Sequence, residues 1–158
     1  MTDRFLELQK AFIEKGLTLG AAESFTAGRF ADRVCSIPGA SDYFKGGVVS
    51  YAASVKEDVL AVDHDAIETL GVVSEAVAVA MAQNARGVLD VDVAVSFTGN
   101  AGPTAEEGKA QVGETFMAIA YRDEKVITYH VIFRGERNEI RTLAVEYICD
   151  KLIEILNS

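Results

Sequence analysis

A hydroxyl attacks an amide at neutral pH only when a nearby base takes its proton and hydrogen-bond donors receive the oxyanion it creates. Three residues have the types to form such a device: Ser24, Tyr51 and Lys56. Ser24 lies between the short apolar stretch LTLGAA (residues 17 to 22) and a segment from Thr26 to Val34 that places Phe30, Ala31 and Val34 at helical spacing. The bend Glu23-Ser24-Phe25 therefore joins a strand to a helix, and Ser24 sits at a helix entrance, where backbone N–H groups and a positive dipole end favour developing negative charge. By position alone, a capping serine is the simpler reading. Tyr51 and Lys56 follow a strand-like run, YFKGGVVSY, which brings both toward the same end of a sheet as Ser24. A lysine serves as a base only if burial or neighbouring positive charge lowers its pKa toward neutrality. Taken alone, a solvated helix lysine and an amphipathic strand-end tyrosine are again the simpler readings.

The segment TGNAGP, Thr98 to Pro103, follows a strand and carries glycines that let backbone amides approach a phosphate or carboxylate. It lacks the lysine of a P-loop and the third glycine of a dinucleotide fingerprint, so nucleoside triphosphate and NAD readings fail. An ordinary strand-to-loop turn fits it equally well. His64 stands between Asp63 and Asp65, and His130 in a hairpin, so no pair has metal-ligand spacing and no metal is expected. No GxSxG elbow supports a Ser-His-Asp triad. Cys35 and Cys149 are isolated, and each falls in an apolar helical pattern, which predicts two buried thiols.

The elements that must position these groups follow from periodicity. Residues 3 to 15 read as a helix ended by Gly16, and IPGASD as a turn. Gly46 and Gly47 mark a bulge or a close approach within the second strand. Val55, Val59 and Leu60 suggest a short helix. Asp63 or Asp65 caps the next, and Ser74 caps the run AVAVAMAQNARGVL. DVAVSF (92 to 97) is a strand followed by a long aperiodic loop, and ETFMAIAYR and KVITYHVIF form an antiparallel hairpin about Asp123 and Glu124. Ile140, Leu143, Ala144, Tyr147, Ile148, Leu152 and Ile155 give the last helix one apolar stripe. The expected fold is α/β, a three-layer α/β/α sandwich around a mixed sheet with a late antiparallel hairpin, in a single domain spanning 1–158.

Lys and Arg number 15 against 24 Asp and Glu, a formal charge of -9, which disfavours a nucleic-acid partner. The sequence holds no run as apolar as a membrane span, and MTDRFLELQK has no signal-peptide core, so the expected location is cytoplasmic.

These signals occur in one order. AESFTAG (22 to 28), IPGASDYFKGGVVSYAASVK (37 to 56), GVVSE (71 to 75), TGNAGP and Val112-Gly113 together span most of the chain. In these segments the chain resembles the C-terminal domain of competence-damage-inducible protein CinA and its stand-alone relatives, the nicotinamide-nucleotide amidases. The resemblance implies hydrolysis of the carboxamide of nicotinamide mononucleotide to nicotinate mononucleotide and ammonia, without a cofactor. It makes Ser24 the nucleophile and Tyr51 and Lys56 its activators. It also makes Glu23, Thr26, Gly28, Gly46, Thr98, Gly99, Gly102 and Arg141 the substrate-binding candidates, with Arg141 facing a phosphate. The implied partner is a small-molecule pyridine nucleotide, and a homo-oligomer is left open. Three departures bear on this: Phe25 and Ala27 replace a cysteine and a glycine, Ala53 replaces an asparagine, and TGNAGPTA lacks two glycines after its proline. A methyl at Ala27 and the side chain of Thr104 would narrow a phosphate cradle. These departures also sustain a rival reading, a pyridine-nucleotide-binding module of the same fold that has lost turnover.

Overall fold

Side chains along a strand point alternately to opposite faces, and in this protein that alternation sorts the core into two layers. The structure is a computed structural model describing residues 3–158, so Met1 and Thr2 of the expected domain lie outside the described residues. Leu19 and Ala21 of β1 (Leu19–Glu23), Val93, Val95 and Phe97 of β3 (Val93–Gly99), and Met117 and Ile119 of β4 (Glu114–Tyr121) share one apolar cluster. It is completed by α1 (Arg4–Lys15), α2 (Arg29–Cys35) and α6 (Arg137–Leu156). The intervening residues, Ala22, Ala94, Ala118 and Ala120, are small. They meet α5 (Glu75–Leu89), which presents Ala78, Ala82 and Ala85, so helix and sheet approach closely. Gly20 belongs to this face, where an added Cβ would lie 2.7 Å from Leu89 Cδ1.

Two further strands and two helices complete the sandwich: β2 (Phe44–Val49), α3 (Ala53–Leu60), α4 (His64–Leu70) and β5 (Val126–Ile132). Strand order is β2-β1-β3-β4-β5, with β1 parallel to β2 and β3, and β4 antiparallel to both β3 and β5. The mixed sheet and late hairpin are as the sequence predicts. The bulge expected near Gly46 is present as a register shift, since Leu19 pairs with Phe44 but Gly20 with Gly46.

Local signals fix most helix ends. Asp3, Asp63 and Ser74 accept backbone N–H groups at the starts of α1, α4 and α5, and Gly16 closes α1 with a left-handed φ of 66°. Two expectations need correction. The helix predicted from Thr26 begins only at Arg29, because Ala27 and Gly28 take left-handed φ values of 49° and 94°. Cys35 is exposed rather than buried: as the last residue of α2 it falls off the stripe that Phe30 and Val34 bury. Cys149 is buried as expected, and burial pushes its thiol up to about 12. No helix among the described residues is long and apolar enough to cross a membrane.

The topology makes one end of the sheet chemically rich. The chain leaves β1 for β2 on one side and returns to β3 on the other, so the carboxyl ends of β1, β2 and β3 flank a switch point, the usual ligand crevice of such sheets. Because β4 runs antiparallel to β3 and β5 to β4, the start of α6 follows at the same end.

Candidate active site

Ser24, Ser50 and Tyr51 follow the carboxyl ends of β1 and β2, and α3 starts immediately afterwards. Lys56 and Leu60, one helical turn apart, form the buried face of α3, so the lysine occupies a position where the pattern calls for an apolar side chain. It is 1% exposed. Its Nζ lies 2.8 Å from Ser24 Oγ and donates to the carbonyls of Ser50 at 2.6 Å and Tyr51 at 3.1 Å. Two carbonyls can only accept, so they use two N–H bonds, and the third Nζ position faces the serine. In the neutral amine that position is a lone pair able to take the Oγ proton. Burial lowers the Lys56 pKa from 10.5 to about 8. At pH 7 the neutral fraction is therefore roughly a tenth, against less than about a thousandth for a lysine at its ordinary value.

The nucleophile turn is held on all sides. Ser24 N–H donates to the Phe97 carbonyl at 3.0 Å, and Ala27 N–H to the Ser24 carbonyl at 3.0 Å. Arg141 Nε donates to Phe25 O at 2.9 Å and Nη2 to Thr26 O at 3.1 Å, so this guanidinium grips the turn. Burial, then the charges of Arg29 and Arg137, hold Arg141 below the ordinary arginine pKa. None of these three arginines forms an ion pair with a carboxylate among the described residues, although the chain carries nine excess negative charges. A cleft of about 450 Å³ opens between α2 and α6, meeting the turn at Thr26, Ala27 and Gly28 and bordered by Arg29 and Arg141. The Thr26 hydroxyl is fully buried without a hydrogen-bond partner.

The amides expected to greet an oxyanion at the helix entrance are occupied: Phe30 N–H and Ala31 N–H donate to the two carboxylate oxygens of Glu23 at 2.8 and 3.1 Å. The amides of Phe25 and Thr26, directly after the serine, have no acceptor among the described residues.

The remaining predicted residues divide by location. Tyr51 reaches Lys56 through its carbonyl. Its hydroxyl instead accepts from Arg137 Nη2 at 3.1 Å, and Arg137 Nη1 donates to Gly102 O at 2.6 Å. Gly99 makes room for the turn, since a Cβ there would meet the Phe25 ring at 3.0 Å. Thr98 turns its hydroxyl to the Val72 carbonyl at 2.8 Å and so anchors the loop before α5. Gly46 pairs with Gly20 inside the sheet, three residues short of the end where Ser24 emerges. His64 stands on the surface against Glu57, away from the serine. Among the described residues no cluster of His, Cys, Asp or Glu could hold a metal ion.

Two contributors escaped the sequence reading. Asn100 ties the glycine-poor loop together: Nδ2 donates to the carbonyls of Thr104 and Ala110, and Oδ1 accepts from Gly102 N–H. Arg137 links that loop to Tyr51. An asparagine within TGNAGP was a visible signal, because Asn bonds readily to backbone two residues on; nothing local marked Arg137.

Ala27 carries a backbone cost. Its φ of 49° is one that L-residues adopt at about 1–2 kcal/mol and glycine adopts freely. Ala27→Gly is expected to stabilise the protein by up to about 1 kcal/mol, or about 2–4 °C in melting temperature. A calorimetric midpoint equal to or below that of the wild type would show that the turn carries no such strain.

Comparison with known proteins agrees with this architecture. The family described as the CinA C-terminal domain matches residues 3–156. A competence-damage inducible protein of Bacillus cytotoxicus is 41% identical over 134 residues, covering 85% of this chain and 32% of that protein. The chain thus spans about a third of the length of the curated relatives it matches. Among solved structures, competence damage-inducible protein A of Klebsiella pneumoniae subsp. pneumoniae superposes with a TM-score of 0.94 at 28% identity, covering 98% of this chain and 95% of that one. A competence/damage inducible protein of Agrobacterium tumefaciens does so with a TM-score of 0.90 at 31% identity, covering 100% and 98%.

Proposed function

The chain belongs to the CinA C-terminal domain family, and from that premise we propose that it is an amidohydrolase that converts nicotinamide mononucleotide to nicotinate mononucleotide and ammonia. The observation that carries the reading is the buried contact of 2.8 Å between Lys56 Nζ and Ser24 Oγ, with both carbonyl partners of the amine already in place. Ser24 Oγ attacks the carboxamide carbon as its proton passes to Lys56. The resulting oxyanion is received by the amides of Phe25 and Thr26. Lys56 then returns the proton to the leaving nitrogen, which departs as ammonia, and an ester to Ser24 is left. Water attacks that ester, gives a proton to Lys56, and the proton restores Ser24 as the acid leaves. Tyr51 acts by holding Lys56 through its carbonyl.

The nucleotide part of the substrate fits the arginine-bordered cleft beside the turn, where uncompensated guanidinium charge favours a phosphate. The testing experiment is ammonia release across a panel of pyridine carboxamides with and without a ribose phosphate. Nicotinamide mononucleotide is expected to be turned over best. Tight binding of that nucleotide with no ammonia would instead favour a binding module, the reading that Ala27 and Thr104 support.

A further inference from the structure

Glu23 is 1% exposed, carries a carboxylate, and has no lysine or arginine ion-pair partner among the described residues. A buried charge of that kind persists only where hydrogen bonds replace its water. Here both oxygens are used, accepting the N–H groups of Phe30 and Ala31 in the first turn of α2, seven and eight residues ahead. Its carbonyl accepts Ser50 N–H at 2.7 Å, and the Ser50 carbonyl in turn accepts from Lys56 Nζ. A closed ring results: Glu23 is bonded covalently to Ser24, Ser24 Oγ meets Lys56, Lys56 holds Ser50, and Ser50 returns to Glu23.

Alternation explains why one residue can serve both sides. Glu23 continues the parity of Leu19 and Ala21, which face α2, and Ser24 follows the parity of Ala22, on the α3 side. The main chain of Glu23 is thus fixed to the base, and its side chain to the helix behind.

Resting on Ser24 as nucleophile, we propose that Glu23 is a positioning residue: it sets the position of Ser24 Oγ against Lys56 by pinning the end of β1 to α2, and it neither binds substrate nor transfers protons. With both oxygens on backbone amides, the carboxylate has no oxygen committed to either task.

Glu23→Gln tests this, because it keeps the size but turns one oxygen into an NH2 that faces an N–H. Three readouts on folded protein, checked by thermal unfolding, separate the alternatives. These are kcat and KM for the best carboxamide, the pH profile, and the rate at which a fluorophosphonate labels Ser24. The expected result is a fall of about 10- to 100-fold in kcat and in labelling rate, KM within about twofold of wild type, and an unchanged pH midpoint. Raised KM at constant kcat would assign Glu23 to substrate, a moved midpoint would assign it to proton transfer, and unchanged rates with lowered stability would leave it structural; each overturns the proposal. Labelling needs no natural substrate, so absence of ammonia release by the wild type would defeat the amidase reading alone. If the glutamine variant does not fold, Glu23→Asp, which keeps the charge but is one methylene short, is read by the same measurements.

Discussion

Ser24→Ala is expected to lower ammonia release by at least about 10³-fold while leaving nucleotide affinity within a few-fold of wild type. The substitution removes only Oγ from a side chain that is 8% exposed. The main-chain bonds that hold the turn, from Ser24 N–H to Phe97 and from Ala27 N–H to Ser24, do not involve it. Lys56 keeps its two carbonyl partners, so its seat survives. Without Oγ no ester can form. Mass spectrometry of acid-quenched enzyme should therefore find an acyl adduct in the wild type and none in the variant, with binding followed by calorimetry. Residual hydrolysis by water held near Lys56 is compatible with the scheme; turnover at the wild-type rate is not, and would move the nucleophile elsewhere.

The parts of this arrangement that local physics determines are visible in the sequence, and the parts that depend on distant segments are not. Capping side chains at Asp3, Asp63 and Ser74 announce their helices because each cap is complete within three residues. The alternation of large and small residues in β1, β3 and β4 encodes two unlike faces, one for bulky packing and one for an alanine-rich helix. The start of α2 was misjudged because apolar spacing reports which face is buried, while Ala27 and Gly28 impose a left-handed turn that the spacing does not register. Lys56 held more information than its charge: four residues before Leu60, it belongs to the buried stripe of α3. That burial, rather than its being a lysine, makes it a candidate base. Glu23, by contrast, reaches amides seven and eight residues away across a turn, and Arg137 and Arg141 reach back more than 80 residues. Such partners are set by the sheet order, which brings the ends of β1, β2 and β3 and the start of α6 together.

The Lys56 amine should control the pH dependence of both activity and stability, with a consistent sign. Catalysis needs the neutral amine, so kcat/KM is expected to rise with pH and level off above a midpoint near 8, the value to which burial lowers this lysine. Stability follows from linkage. In the unfolded chain the amine binds its proton up to about 10.5 and in the folded protein only up to about 8, so between those values unfolding takes up a proton. Folded-state stability should therefore climb with pH across that window relative to a Lys56→Met variant. The gap corresponds to about 3 kcal/mol, with the full cost present below pH 8. Lys56→Arg keeps a positive charge but cannot be deprotonated at working pH, and its planar fork does not match a seat built from two carbonyls and a hydroxyl. Loss of about 10²- to 10⁴-fold in kcat/KM is expected for this variant at every pH, without the rise near 8. An arginine variant with wild-type turnover and an unaltered midpoint would show that residue 56 supplies only charge. In that case the base must lie elsewhere, and His64, exposed and paired with Glu57, could take that role only if it moved.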